Sequence, residues 1–270
     1  MTVFDESERL IWAGRGDAYA ASFAKLCAYP VGRLLDDAAG VGEGTRVLDV
    51  GTGPGTVAAA AVARGARVTA VDPEPSMLAL AARTAPEAGL RTALLPELPF
   101  ESGEFDAVVA NFVLNHVGRP RAALEELRRV VRAGGRVAVT VWARPPAPGQ
   151  ALLGRAIAAG GAVRPPHLPA GLDPDEDFPR DEAGLGALFA AAGLADGACG
   201  TLRWDHRAGR EEWWSAPAGG VAFSGRLVRA QTPEVRAAIK RCFDRFSVEF
   251  AAPDGKLRLP HAALLAHGRR

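Results

Sequence analysis

A glycine-rich stretch in the first third of the chain follows a short apolar run. The run at 47–50 leads into Gly51, Gly53 and Gly55, and the sequence then becomes rich in alanine. A strand, a tight glycine turn and a helix in this order bring bare backbone close to a nucleoside-like ligand. We therefore predict a ligand site at these three glycines.

The same turn is poorly suited to a phosphate. A dinucleotide-binding turn has Gly-x-Gly-x-x-Gly/Ala and directs free N–H groups at a pyrophosphate, whereas here Thr56 is at the sixth position. Pro54, inside the turn, has no N–H to donate. The expected ligand is a nucleoside without phosphates.

A second strand is predicted at 67–71, after a helix over 57–64 that ends at Gly65. Asp72 and Pro73 come directly after this strand. An acidic residue at the tip of the second strand is placed to accept hydrogen bonds from both hydroxyls of a ribose. Asp72 is therefore the predicted ribose ligand.

Taken together, the motifs resemble those of the class I S-adenosylmethionine-dependent methyltransferases. The resemblance is to the small-molecule enzymes related to the ubiquinone and menaquinone methyltransferases. Each motif alone is weak, but here an ordered set occurs at the family's spacing. The matching segments are 47–55, 71–78, 98–100 with 105–109, 114–117 and 129–137.

The resemblance implies an α/β fold. We expect a Rossmann-like, mostly parallel sheet of seven strands with helices on both faces and an antiparallel last strand. The alternating pattern places the first five strands near 46–50, 67–71, 90–94, 105–110 and 136–142. A strand at 199–207, a helix at 232–250 and a last strand at 256–265 would complete it.

We expect one methyltransferase domain that spans residues 1–270, with no second domain. The apolar pattern of the first residues predicts helices, which the family places over the cofactor as a lid. Acceptor specificity is expected in the Pro- and Gly-rich cap insertion. The predicted parts are the lid 1–40, the cofactor-binding core 41–142, the substrate cap 143–197 and the C-terminal strands and helices 198–270.

The implied cofactor is S-adenosylmethionine, with S-adenosylhomocysteine as its product. Asp49 would act at the amino-acid end of the cofactor or would only orient the loop, and Pro73 and Met77 would flank the adenine unless they are core residues. The full set of predicted cofactor-binding residues is Asp49, Gly51, Thr52, Gly53, Gly55, Asp72, Pro73, Met77, Leu95, Asn111 and Phe112.

One position departs from the family pattern. Where relatives commonly have Asp-Ala-Glu-Asp before the Leu98–Phe100 segment, this chain has Leu94, Leu95, Pro96 and Glu97. The side chain that accepts a hydrogen bond from the adenine amino group is therefore missing at Leu94. The backbone N–H of Leu95 remains available to the adenine ring, so weaker or altered cofactor binding is expected.

The end of the fourth strand carries the residues that bear on the acceptor. Asn111 and Phe112 are followed by Val113 and Leu114, which differs from the Asn-Pro-Pro-Tyr of enzymes that methylate a flipped nucleic-acid base. His116 resembles a histidine that relatives place near the methyl group. We therefore hypothesise that His116 is a general base, with a packing role as the alternative.

Other candidate groups show no functional spacing. The histidines at 167, 206, 261 and 267 and the acidic run 173–177 are predicted to be structural or solvated, with no metal site. Cys27, Cys199 and Cys242 are predicted to be reduced thiols. The aromatic residues after the core hint at an apolar or aromatic acceptor. They are Trp142, Phe178, Phe189, Trp204, Trp213, Trp214 and Phe223.

The composition argues against two classes of binding partner, nucleic acids and membranes. The chain of 270 residues has a formal net charge of +1, so no overall field would attract a nucleic acid or an anionic membrane. We recognise neither a leader peptide nor an apolar run near the roughly 20 residues of a membrane span, which predicts a cytoplasmic protein. The oligomeric state is left open.

The predicted function is methyl transfer from S-adenosylmethionine to O, N or C of a small apolar or aromatic acceptor. Two alternatives remain at this point. In the first, the bound cofactor is only a scaffold while the pocket guides a cyclisation; in the second, the protein senses the cofactor or its demethylated product. Production of S-adenosylhomocysteine would separate the enzyme from both.

Overall fold

A single mixed sheet forms the centre of the computed structural model, which describes residues 2–166, 168 and 171–270. Its seven strands are ordered β3-β2-β1-β4-β5-β7-β6. The strands are β1 Arg46–Val50, β2 Arg67–Val71, β3 Gly89–Arg91, β4 Phe105–Asn111, β5 Val131–Trp142, β6 Ala195–Ala208 and β7 Leu257–Arg269.

Twelve α-helices surround the sheet in the described part of the chain. They are α1 Val3–Trp12, α2 Gly16–Ala20, α3 Phe23–Cys27, α4 Val31–Arg33, α5 Thr56–Val62, α6 Pro75–Thr84, α7 Pro120–Val130, α8 Pro148–Ala159, α9 Glu182–Ala191, α10 Arg210–Ala218, α11 Ala222–Arg229 and α12 Pro233–Ser247. A π-helical segment at Leu34–Ala39 and 3₁₀ turns at Leu114–His116 and Val248–Phe250 complete the helical structure.

Strand alternation builds two apolar layers, one on each face of the sheet. Along β4, Ala107 and Val109 pack into the layer that contains α5 and the π-helical segment, whereas Val108 and Ala110 pack into the layer that contains α7 and α9. Successive side chains of a strand point to opposite faces, so an apolar strand buried on both sides is the pattern expected of a parallel sheet between helices.

The expected fold class is confirmed. β1 pairs in parallel with β2 and β4, β2 with β3, and β4 with β5. The last strand, β7, is antiparallel to β5 on one side and to β6 on the other. Because both antiparallel strands are long, they extend the sheet well past the end of β5.

Four predicted strands have clearly different bounds in the structure, and two of them, β6 and β7, are longer than predicted. The third strand is only Gly89–Arg91 instead of 90–94, and an isolated bridge between Leu94 and Glu97 comes after it. The fifth strand begins at Val131 instead of 136, with an irregularity in its pairing to β4 between Phe105 and Ala107. Period-two patterning marks the centre of a strand better than its ends, where glycines and bulges intervene.

The ends of the chain and the region 143–197 complete the layers. Residues 31–39, predicted as part of the lid, are buried against the sheet together with α5. α9 packs against β6, β7 and α7, so it belongs to a helical layer of the sheet. No described helix is long and apolar enough to cross a bilayer. The prediction for His167 lies outside the described residues.

Candidate active site

A cavity of about 620 Å³ lies at the carboxyl ends of the parallel strands. It is centred where β1 neighbours both β2 and β4, which is the point at which the strand order reverses. Ligands of open α/β sheets bind at this switch point. Helices α1 to α3 cover the cavity and contribute Glu8, Trp12, Tyr19 and Cys27 to its wall.

The glycine turn after β1 forms one side of the cavity. Gly51, Gly53 and Gly55 all have positive φ, at 66°, 54° and 87°, which L-residues with a side chain rarely adopt. A Cβ at Gly51 would lie 2.5 Å from Val113, and one at Gly55 would lie 2.9 Å from Ala81. At Gly53 the nearest atom would be a ring carbon of Tyr19 at 3.7 Å, so this glycine leaves room beside the cavity.

Asp72 connects the second strand to this turn. One carboxylate oxygen accepts a hydrogen bond of 2.9 Å from the Gly53 N–H, and the other accepts one of 2.9 Å from the Glu74 N–H. Burial raises the pKa of Asp72 to about 6. The carboxylate is therefore held on the cavity wall by backbone donors that leave its remaining lone pairs free for ligand hydroxyls.

Three residues of the predicted cofactor set do not line the cavity. Asp49 is 1% exposed, and one of its oxygens accepts a 2.7 Å hydrogen bond from the Thr52 hydroxyl beneath the turn. Gly55 faces Ala81 of α6. These residues support the turn from behind, because the tight turn leaves only Gly51 and Gly53 on the ligand side.

Asp49 nevertheless carries an electrostatic signal. Its second oxygen is buried without a partner among the described residues, and burial raises the pKa of the carboxyl to about 7. Asp72 lies close enough to raise it further. One carboxyl group on the cavity wall and a second beneath the turn favour a ligand that brings positive charge or hydrogen-bond donors.

The lid is attached to the start of α6, next to Asp72. The Gly14 N–H donates to Glu74 at 3.1 Å, and the Gly16 N–H donates to the Ser76 hydroxyl at 3.2 Å. Glu74 is also the N-cap of α6. The lid is therefore held in place by the same short segment that contains Asp72, the residue predicted to bind the ribose.

The side of the cavity that is predicted to hold the adenine contains the other predicted contacts. Pro73, Met77 and Leu95 line the wall together with Leu94, where the family's carboxylate is absent. Leu94 is 38% exposed, so its apolar side chain is open to whatever enters there. Neither Leu94 nor Leu95 offers a carboxylate to an adenine amino group.

Asn111 and Phe112 form the floor at the end of β4. The Asn111 amide donates to the Cys27 carbonyl oxygen at 2.8 Å and accepts from the Thr140 hydroxyl at 2.6 Å, so it joins the lid to β5. Phe112 has a φ of 59°, and its ring stacks on Trp142 with a centroid distance of 4.1 Å. A strained residue held by its surroundings is typical of a functional site.

His116 lines the cavity and has a partner that the sequence did not indicate. Its Nδ1 lies 2.7 Å from a carboxylate oxygen of Glu8 in the lid, and its ring lies edge-to-face against Trp12. A carboxylate at Nδ1 selects the tautomer with the proton there. Nε2 is then left with a lone pair, which is the form a base requires.

The far wall is aromatic and continues from Phe112. Trp142 lies 6.0 Å from the His261 ring, His261 lies 5.5 Å from Trp213, and Trp213 lies 5.2 Å from Phe23, all between ring centroids. His261, which the sequence left as a structural or solvated residue, is 2% exposed and on the cavity wall. Burial lowers its pKa to about 4, so the ring is neutral at physiological pH.

Sequence comparisons agree with the geometry. Residues 48–139 match a protein family described as a methyltransferase domain. An uncharacterized protein of Mycobacterium tuberculosis is 38% identical over 189 residues, which is 68% of this chain and 65% of that protein. The demethylmenaquinone methyltransferase of Beutenbergia cavernae is 39% identical over 123 residues, 45% of this chain and 51% of that enzyme.

The chain carries a class I S-adenosylmethionine-dependent methyltransferase domain. The resemblance to the menaquinone enzymes is thereby confirmed for the cofactor-binding core. The chain spans less than two thirds of the length of the relatives it matches, at 65% and 51%. The match therefore establishes the domain, whereas the activity of the whole protein is a matter for proposal.

Solved structures agree on the fold of the chain. The YcgJ protein of Bacillus subtilis has a TM-score of 0.56 at 20% identity and covers 90% of this chain and 98% of that one. A phosphoethanolamine N-methyltransferase of Haemonchus contortus, solved with phosphomonomethylethanolamine and S-adenosylhomocysteine, has a TM-score of 0.51 at 15% identity. That match covers 89% of this chain and 52% of the other.

The structure separates the roles of the aromatic residues that the sequence left undivided. Trp142, Trp213 and Phe223 line the cavity. Phe178 and Phe189 belong to the core on the α9 side of the sheet, and Trp214 packs against Phe243 of α12. Trp204 stacks on Tyr29 and does not line the cavity. Aromatic composition alone could not separate these roles, because core and pocket positions use the same residue types.

The parts of the cap region that reach the ligand space are few. From 143–197, the cavity is lined by Ala143, Arg144, Pro146, Gln150, Leu153 and Gly154. Ala222, Phe223 and Ser224, at the start of α11, add a segment that the predicted cap did not include. No three described His, Cys, Asp or Glu side chains are placed to share a metal ion.

Proposed function

We propose that this protein transfers a methyl group from S-adenosylmethionine to a small aromatic acceptor inside the cavity. One observation carries the proposal. A single cavity is lined by the glycine turn and Asp72 at one end and by Trp142 and Trp213 at the other, with Phe112 between them. A donor and an acceptor bound at the two ends would meet inside the cavity.

The cofactor end fits a nucleoside with a positively charged tail. Asp72 would accept the ribose hydroxyls, and Pro73 and Met77 would flank the adenine. The open space at Gly53 leaves room for the tail beside the turn. S-adenosylmethionine supplies a methyl group on a sulfonium, which is already a strong methyl donor.

His116 would take the proton that an O–H or N–H acceptor loses on methylation. Its Nδ1 is hydrogen-bonded to Glu8, so the proton would be accepted at Nε2, and the Glu8 carboxylate would stabilise the resulting imidazolium. Glu8 is only 12% exposed at its side chain, which strengthens this interaction. Glu8 is a positioning residue that acts through His116.

The remaining work is alignment and exclusion of water. The lid and the aromatic far wall enclose the acceptor, and the stack of Phe112 on Trp142 gives a planar ring a defined face. Well-oriented reactants reach effective molarities on the order of 10⁵ M or more. Orientation therefore supplies most of the expected rate.

The first test is calorimetric titration with S-adenosylmethionine and with S-adenosylhomocysteine. Micromolar binding of both is expected, followed by S-adenosylhomocysteine production when aromatic hydroxyl and amine compounds are screened as acceptors. A reaction without acceptor is the control for spontaneous breakdown. Absence of binding of either compound would contradict the proposal, and binding with no turnover across the screen would favour a scaffold or sensor.

A further inference from the structure

The far wall concentrates unsatisfied polar atoms. Three rings surround His261, namely those of Trp204, His206 and Trp213, at centroid distances of 6.1, 6.1 and 5.5 Å. Each of them has a buried ring nitrogen without a hydrogen-bond partner among the described residues. A buried unpaired polar group is costly, and among these three rings only Trp213 lines the cavity, so its indole N–H is the one that a bound ligand could satisfy.

His261 adds a hydrogen-bond acceptor beside the Trp213 indole N–H, which is a donor. Its Nδ1 lies 2.8 Å from the Leu259 carbonyl oxygen, which can only accept, so the proton is on Nδ1 and Nε2 carries the lone pair. Nε2 has no hydrogen bond to a described residue, and His261 lines the cavity. Trp213 lines the same wall, is 4% exposed and can only donate through its indole N–H.

The ladder between β5 and β7 explains this placement. Ala263 pairs with Trp142, and His261 lies two residues before Ala263 on β7. The side chains of Trp142 and His261 therefore point to the same face of the sheet. Phe112 lies beside Trp142, and His261 lies beyond Trp142. The His261 ring is therefore separated from Phe112, and from the cofactor end, by an aromatic ring.

We propose that the far end of the cavity binds a hydroxyl group on an aromatic acceptor, which donates to His261 Nε2 and accepts from the Trp213 indole N–H. A hydroxyl is the simplest group that is both donor and acceptor. The surrounding rings select an aromatic skeleton, and the hydroxyl fixes its orientation with the opposite end toward Phe112 and His116. This inference rests on the proposed function, since it names the acceptor class of the same cavity.

Three matched probes test the inference directly by equilibrium dialysis, with and without S-adenosylhomocysteine. They are 2-naphthol, 2-methoxynaphthalene, which can accept but not donate, and naphthalene. Two hydrogen bonds in a buried site predict that 2-naphthol binds about tenfold tighter than naphthalene, with the methoxy compound between them. Equal affinity of the three probes for the unaltered protein would overturn the inference.

Two variants divide the contribution of each bond. His261→Phe should remove the advantage of 2-naphthol over 2-methoxynaphthalene and leave naphthalene binding unchanged. Trp213→Phe should weaken both oxygen-containing probes relative to naphthalene. An equal loss of all three probes in His261→Phe would show apolar packing only and would also overturn the inference.

The test of the hydroxyl site can be distinguished from the test of the proposed methyl transfer. Binding of S-adenosylhomocysteine is measured on the same samples and serves as the check that each variant is folded. Normal cofactor binding without discrimination among the probes removes the hydroxyl site and leaves methyl transfer standing. Discrimination among the probes with no cofactor binding supports the hydroxyl site and contradicts methyl transfer.

Discussion

The two ends of the cavity solve opposite electrostatic problems. The cofactor end buries carboxyl groups, and burial raises the pKa of Asp72 to about 6 and that of Asp49 to about 7. The far end buries a histidine, and burial lowers the pKa of His261 to about 4. Desolvation thus pushes all three groups toward their neutral forms, but only the carboxyl groups can become charged again at physiological pH.

The ends also differ in how their polar atoms are satisfied. Asp72 is held by two backbone N–H groups, and Asn111 is bonded to both Cys27 and Thr140. The rings around His261 have no comparable partners among the described residues. A site whose polar atoms already have partners before the ligand binds suits a cofactor. Unpaired polar groups in the acceptor site discriminate among acceptors, because they stay without a hydrogen bond when an acceptor lacks the matching group.

The largest expected effect is at the junction between the two ends. His116→Gln should lower the rate of S-adenosylhomocysteine production by about 10²-fold or more with an O–H or N–H acceptor, because it removes the proposed base. Cofactor affinity should be unchanged. A rate within a factor of two of the unaltered protein would assign His116 to packing against Trp12.

Glu8→Gln separates positioning from proton acceptance in the same experiment. This variant keeps a side chain of the same size at Nδ1 but removes the charge that stabilises the imidazolium. We expect a loss of rate smaller than that of His116→Gln and carried by kcat rather than KM, because Glu8 contacts His116 and not the acceptor. A rate equal to that of the unaltered protein would contradict this role.

The pH dependence of stability should have opposite signs at the two ends. The folded-state pKa of His261 lies below its ordinary value of 6.5, so the unfolded chain binds more protons as the pH falls from 6.5 to about 4. Relative to His261→Phe, the protein should lose on the order of 3 kcal/mol of unfolding free energy over that window. Denaturant unfolding of both proteins at pH 7 and pH 4 measures the difference.

Asp72 provides the mirror comparison. Its folded-state pKa of about 6 lies above the ordinary 3.8, so the folded chain binds more protons between those values. Relative to Asp72→Ala, the protein should therefore gain stability as the pH falls through about 6, by a similar amount in the opposite direction. If both comparisons slope the same way, the electrostatic contrast between the two ends is wrong.

Ligand binding should be confined to one end. Asp72→Ala is expected to weaken S-adenosylmethionine about a hundredfold, because it removes a charged acceptor for the ribose hydroxyls, and to leave 2-naphthol binding unchanged. Asp36→Ala is the matched control, since Asp36 is an exposed acid paired with Arg64 on the surface. Unchanged cofactor affinity in Asp72→Ala would remove the ribose assignment.

The sequence predicted the cofactor end far better than the far end, and the reason is physical. Gly51, Gly53 and Asp72 lie in short segments that directly succeed a strand, so local order along the chain is enough to place them. His261 and Trp213 reach the cavity only through the β5 to β7 register and the packing of α10. Glu8 likewise meets His116 across 108 residues, a contact with no local signal.

The smallest expected effect concerns the one departure from the family pattern. Leu94 is partly exposed at the adenine wall, so Leu94→Asp would place a carboxylate where relatives commonly have one. We expect S-adenosylmethionine affinity to rise by about tenfold, the low end of the value of one hydrogen bond to a charged group, because the adenine amino group gains an acceptor at a partly exposed position. Leu94→Asn is the neutral control and should give a smaller gain. Calorimetry on the three proteins decides the point, and a loss of affinity in Leu94→Asp would mean that this wall has been rebuilt around an apolar contact. In that case the cofactor end, too, would contain a feature that the family motifs do not predict.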